Sequence, residues 1–121
     1  MKKILIVEDE RGMQDIYRDM FSDDDRDFSL EIVADGQEGL KALQKNAYDL
    51  VILDVIMEPV TGDSFFVHMR SDENIRTIPV LVVSVISPEL LERMKRLNHV
   101  HFLQKPITKE GLFMTINRIL G

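Results

Sequence analysis

At 121 residues the chain has room for one domain that buries roughly two-thirds of the surface its unfolded form exposes. Its 45% hydrophobic and 30% charged residues suit a soluble globular protein. A net charge of −6 supplies neither the basic footprint that nucleic acid requires nor a basic membrane face, and the lack of cysteine excludes disulfides, thiolate catalysis and a Cys-based zinc site. Ile4 to Val7 is the only apolar run before Glu8-Asp9-Glu10. That is too short for the apolar region of a signal peptide, about 7–15 residues, or for a membrane span of about 20. The expected location is the cytoplasm, without membrane insertion.

Ile4 to Val7 reads as a short buried strand. Met13, Ile16, Tyr17, Met20 and Phe21 follow at helical spacing and form one apolar stripe. Ser22 to Asp27 is a polar, acid-rich turn without the Gly and downstream Glu of a calcium loop. Ser29 to Ala34 alternates partly and suits a strand near the sheet edge. Asp35, with Glu38 three residues on, resembles a capping box for a helix carrying Leu40, Ala42 and Leu43.

Leu50 to Leu53 is apolar without alternation, as in a strand covered on both faces, and stops at Asp54. After Gly62, Asp63 caps a predicted helix with Phe65, Phe66 and Met69 inward. Pro79 to Val83 is another unbroken strand, ending at Ser84. Ser87-Pro88 reads as N-cap and first helical residue, opening a helix with Leu90, Leu91, Met94 and Leu97. Val100 to Leu103 is the last strand and leads into Gln104-Lys105-Pro106. Thr108 starts a final helix with Leu112, Phe113, Ile116, Ile119 and Leu120. Five strands alternating with five helices predict an α/β fold with a parallel sheet and right-handed crossovers. The chain stops one residue after the last helix, so a single domain over 1–121 is expected.

In an open parallel sheet the ligand crevice lies beyond the carboxyl ends of the strands. That edge collects Glu8 and Asp9 from the first strand, Asp54 from the third, Ser84 from the fourth and Lys105 from the fifth. Singly, each has a plain explanation as a turn residue, strand terminator or solvated charge. Together they suit one chemistry. Converging carboxylates repel, and Mg²⁺ relieves this while keeping coordination positions for water and phosphate oxygens. An Asp carboxylate can then act as nucleophile towards phosphorus, with an ammonium neutralising the transferring group and a hydroxyl bonding its oxygens.

Ile6-Val7-Glu8-Asp9-Glu10, Leu53-Asp54 with Met57 and Gly62, Val83-Ser84 and Lys105-Pro106 together resemble the receiver domain of two-component response regulators, over essentially the whole chain. The resemblance implies a flavodoxin-like (βα)5 doubly wound sheet of order 2-1-3-4-5. It implies Mg²⁺ on Glu8, Asp9, Asp54 and the backbone carbonyl of Ile56, and phosphorylation of Asp54 by a histidine kinase or phosphotransfer protein. It makes Ser84 and Lys105 the residues assisting that transfer, Ser84 and Phe102 the switch pair, and Lys105–Pro106 a cis bond. It further implies a downstream output protein, contacted through the face built by the helix after Ser87, the last strand and the final helix, and allows a phosphorylation-dependent homodimer. The domain would assist its own phosphorylation and dephosphorylation without being an enzyme.

The chain departs from the family pattern at four places. Glu58 stands where Pro is usual, Val85 replaces a small residue and could crowd the phosphoryl site, and Asn98-His99 replaces Gly-Ala. Ile56 and Ile86, two places beyond Asp54 and Ser84, cannot orient an attacking water, so a phosphorylated form is expected to lose its phosphate slowly. A haloacid-dehalogenase-like phosphatase would need an acid at Ile56, and a flavin binder would need a hydroxyl- and Gly-rich loop where Glu8-Asp9-Glu10 stands. A receiver serving only as a protein-binding scaffold, or one with an effector domain outside this chain, remains as an alternative. His68, His99 and His101 are expected on the surface or satisfied, and the seven methionines as core filler.

Overall fold

The computed structural model describes residues 2–22, 28–55, 65, 68–85, 89, 92 and 99–121. Five strands, β1 (Lys2–Val7), β2 (Phe28–Val33), β3 (Leu50–Val55), β4 (Val80–Ser84) and β5 (Val100–Gln104), form one parallel sheet of order β2-β1-β3-β4-β5. The helices described along their whole length are α1 (Arg11–Ser22), α2 (Gly36–Lys45) and α3 (Lys109–Leu120). Residues 65, 68–71, 89 and 92 are also helical. The doubly wound order expected from the resemblance is the one observed, with the partly alternating strand β2 at an edge.

Period-two alternation sorts the strands into two layers. Ile4, Ile6, Leu50, Ile52, Leu81 and Val83 pack with Tyr17 of α1 and Leu112, Phe113 and Ile116 of α3. Leu5, Val7, Val51, Leu53, Val80 and Val82 pack on the other face with Ala42 and Leu43 of α2 and with Phe65 and Met69. The unbroken apolar runs of β1, β3 and β4 follow from this, because both faces of each strand are covered. In α1, Tyr17 is fully buried while Ile16, assigned to the same apolar stripe, is 43% exposed. One residue turns a helix by about 100°, which carries Ile16 off the stripe centred on Tyr17. Phe21, Phe28 and Phe113 meet with ring centroids 4.9 to 6.0 Å apart, tying the end of α1 to β2 and α3.

The helix starts agree with their caps. The Asp35 carboxylate accepts from the Glu38 amide at 2.8 Å, and the Thr108 hydroxyl oxygen accepts from the Gly111 amide at 3.0 Å. Several sequence expectations lie outside the described residues: most of the Ser22–Asp27 turn, the loop with Glu58, Pro59 and Gly62, Asp63 and Phe66, Ser87-Pro88, and Leu90, Leu91, Met94, Leu97 and Asn98. His99 adopts a left-handed φ of 64° directly before β5, at a place where glycine is favoured. The Lys105–Pro106 bond is cis.

Gly39 brings α2 close to the sheet. A Cβ there would lie 3.0 Å from Val7 Cγ2 and 3.2 Å from Phe65 Cε2. Alanine would gain about 1 kcal/mol of helix propensity but overpack a seam held by a strand, which costs about 1–3 kcal/mol. Gly39→Ala is expected to lose about 1 kcal/mol net, read as a lower urea midpoint at unchanged m-value.

Candidate functional site

Strand alternation decides which acids meet. Glu8 lies two residues past Ile6 and Asp54 two past Ile52, so both carboxylates leave the sheet on the α1–α3 face. The register of β1 on β3 pairs Val7 with Leu53, which makes the two acids lateral neighbours. The Glu8 amide extends the ladder by donating to the Val33 carbonyl at 2.9 Å. The strand β3 also runs two residues beyond its apolar run: Asp54 pairs with Val83 and Val55 with Ser84. Asp54 is thus a residue of the strand itself, where the sequence put it just past the end. The ladder to β4 continues through it whatever its polarity.

Asp54 has no exposed side-chain surface, and both of its oxygens are engaged. Lys105 Nζ lies 2.7 Å from Oδ1, an ion pair set outside hydrogen-bonding angles. The base of this lysine is fixed where β5 ends, its amide donating to the Ser84 carbonyl at 3.0 Å. From the other side the Tyr17 hydroxyl donates to Asp54 Oδ2 at 2.8 Å. Burial first, and then the Asp54 charge, push the Tyr17 phenol far above its ordinary range, so it is a proton donor at every working pH.

Glu8 is also buried, at 1% exposure. Its Oε2 accepts the Glu10 amide at 3.1 Å, while Oε1 is buried without a hydrogen-bond partner. Burial raises its pKa most; the Glu10 amide offsets part of that, and the Asp54 charge with contacts to Asp54 and Asp9 adds to the rise, which reaches about 7. The Gln14 side-chain amide donates to the Glu8 carbonyl at 2.7 Å and holds the turn in place.

The sequence-assigned residues therefore divide. Glu8, Asp54 and Lys105 come together, and Asp9 is exposed at the rim, within the influence of Glu8. Ser84 is buried at the end of β4 and makes no hydrogen bond to Asp54 among the described residues. Phe102 is half-buried against the α2-side core, in register with Val82. Val85 is 71% exposed and is not packed into the crevice. Ile56 and Ile86 lie outside the described residues. His68, His99 and His101 are exposed, and among the described residues no three His, Asp or Glu side chains are placed to hold a metal ion. Sequence reading missed Tyr17 and Gln14 as site residues. The one signal for Tyr17 was a hydroxyl in an otherwise apolar stripe.

The raised Glu8 pKa has a definite consequence for the metal-free protein. The folded state holds this proton up to about pH 7, whereas the unfolded chain releases it near 4.5. Between those values the native state binds more protons, so stability falls as pH rises; the contribution is complete below the unfolded value and lost through pH 7. Urea unfolding in EDTA at pH 5 and pH 8 is expected to show the wild type losing about 2 kcal/mol more than Glu8→Gln, less than the full shift because the unfolded chain is already largely ionised at pH 5.

The model of the response regulator receiver domain family matches residues 4–117. The transcriptional regulatory protein CiaR of Streptococcus pneumoniae is 34% identical over 123 residues, covering 99% of this chain and 52% of that protein. RprY of Bacteroides fragilis, also a transcriptional regulatory protein, is 29% identical over 118 residues, covering 98% and 49%. The chain thus spans about half the length of these curated relatives. Among solved structures, the Vibrio cholerae chemotaxis protein CheY4 superposes with a TM-score of 0.86 at 30% identity, covering 99% of each chain. The receiver domain of the sensor histidine kinase PA1611 of Pseudomonas aeruginosa, with a magnesium ion coordinated in its active site cleft, shares the fold at TM-score 0.84 and 22% identity, covering 99% and 98%. With its sheet order, its buried acid pair and its lysine on the same edge, this chain belongs to the response regulator receiver family of two-component signal transduction.

Proposed function

We propose that Asp54 is the phosphoacceptor of this receiver. The observation that carries the reading is the ammonium of Lys105 held 2.7 Å from a fully buried strand-end carboxylate that neighbours a second acid. An ammonium so placed neutralises charge on the phosphoryl oxygens as they approach Asp54. One carboxylate oxygen attacks phosphorus, and the bond to the donor, a phosphohistidine on a kinase or phosphotransfer protein, breaks with its electron pair. Ser84, at the end of the neighbouring strand, supplies a hydroxyl for a phosphoryl oxygen, and Phe102 responds with it as the switch to an output partner. The domain assists the transfer of its own phosphoryl group and is not a turnover enzyme. It works in the cytoplasm; among the described residues no helix is long and apolar enough to cross a membrane.

The donors here are of the kind Mg²⁺ takes, and holding the ion would need Glu8, Asp9 and Asp54 to gather closer than they stand. Glu8 offers a buried oxygen without a partner, Asp9 is exposed at the rim, and Asp54 lies between them and Lys105. Hard oxygen ligands of this kind, with the Ile56 carbonyl, would hold the ion, and the ion would supply charge neutralisation opposite Lys105.

A second reading, a receiver that serves only as a protein-binding scaffold, is favoured by one observation: the Asp54 side chain has no exposed surface. Intact mass after incubation with Mg²⁺ and acetyl phosphate separates the two. The expected result is a gain of one phosphoryl group that is absent in Asp54→Asn. No gain in the wild type, with donor or with a phosphorylated histidine kinase, favours the scaffold. Once formed, the phosphoprotein is expected to persist for minutes or longer after donor removal, because neither Ile56 nor Ile86 can orient water; decay within seconds would contradict that assignment.

A further inference from the structure

We propose that the Tyr17 hydroxyl is a brake on phosphoryl occupancy of Asp54, acting as a positioning residue that favours the free carboxylate over the acyl phosphate. The inference rests on Asp54 being the phosphoacceptor, and it concerns a residue outside the motif that defines the site. Tyr17 has no exposed surface, sits at the centre of the α1 stripe, and donates to Asp54 Oδ2 at 2.8 Å. Alternation in β3 sends Asp54 towards the layer in which Tyr17 packs with Ile4, Ile6, Leu50 and Ile52. The ring is held by the core, so the hydroxyl has little freedom to follow the carboxylate elsewhere.

The direction of the effect follows from the acceptor. A hydrogen bond to an ionised carboxylate is roughly twice as strong as one between neutral groups. When a carboxylate oxygen forms its bond to phosphorus, the bond from phosphorus to the acetate oxygen of acetyl phosphate breaks and the electron pair leaves with acetate. The Asp54 oxygens then belong to a neutral acyl group, and the Tyr17 hydrogen bond weakens. A contact stronger in the ground state than in the transition state slows the step. In hydrolysis the logic reverses. Water attacks phosphorus, the bond from phosphorus to Asp54 breaks, the pair returns to the carboxylate, and the water protons go to phosphate and solvent. The recovering charge on the leaving oxygen is stabilised by Tyr17. One hydroxyl thus retards formation and hastens loss.

Tyr17→Phe removes one oxygen and keeps the ring. In Mg²⁺ and acetyl phosphate, with occupancy followed by intact mass, the ratio of formation rate to hydrolysis rate is expected to rise about fivefold. Formation should be faster and decay slower. A variant that had merely loosened the site would move both rates the same way, and thermal unfolding shows whether it stays folded. A second readout leaves Tyr17 intact. The chain has no Trp and two Tyr, so in Tyr48→Phe the only tyrosine emission is that of Tyr17. Hydrogen bonding to a carboxylate quenches tyrosine, and emission should rise in step with the phosphoryl mass.

A wild type that takes the phosphoryl group with a rate ratio unchanged in Tyr17→Phe, or with emission that does not respond, overturns the brake and leaves the phosphoacceptor assignment standing. A wild type that takes none while Tyr17→Phe takes one supports the brake in its strongest form. If neither protein accepts phosphate from either donor, the phosphoacceptor assignment fails and the brake fails with it.

Discussion

Two buried acids placed side by side by strand register are the constraint around which this site is built. Glu8 and Asp54 share a face because each lies an even number of residues past a core position, and they are neighbours because β1 pairs with β3. Buried charges persist only when paired or neutralised. One ammonium, that of Lys105, comes within 2.7 Å of Asp54. It can balance one carboxylate. Burial above all, with the neighbouring Asp54 charge adding to it, keeps the proton on the second acid, Glu8, to about pH 7, although its Oε2 accepts the Glu10 amide; its Oε1 has no partner. The arrangement is an incomplete charge balance of a kind that a cation relieves.

The core makes that balance hard to escape. Leu53 is 5% exposed and Ile4, Ile6, Leu50 and Ile52 have no exposed surface, so a slide by one residue would swing each of them into the opposite packed layer and carry the two acids to the α2 face. Lys105 is tied to the same frame by its amide on Ser84. The side chains at the edge can rearrange, but their starting points cannot.

Fold and site were legible to different depths. The unbroken runs Ile4–Val7, Leu50–Leu53 and Pro79–Val83 stated that both faces of those strands are covered, and the partial alternation of 29–34 placed β2 at an edge. The strand-end collection named Glu8, Asp54 and Lys105 as neighbours at one edge, and they do meet there, since residue type and strand end are both one-dimensional facts. The extent of β3 was not readable, because pairing with β4 carries the ladder through Asp54 regardless of its polarity. Tyr17 was read as core, which it is. That its hydroxyl reaches Asp54 depends on how α1 lies over β3, and a helical repeat says nothing of that. Ile16 fails for a related reason: the apolar stripe was drawn wider than the face that the sheet covers.

The two groups on Asp54 differ in what they can do when its charge changes. A phosphoryl group would move negative charge from the carboxylate out to phosphoryl oxygens. The Lys105 ammonium stands on a flexible stem and is 17% exposed, so it can follow the charge outward while its amide stays on Ser84. The Tyr17 hydroxyl is at the end of a rigid ring with no exposed surface and stays where it is. Lysine therefore stabilises charge on either side of the transfer, whereas tyrosine stabilises it on one side only. An acceptor gripped by one partner that follows the charge and one that does not is biased towards its empty state, by an amount set by the difference between a charged and a neutral acceptor.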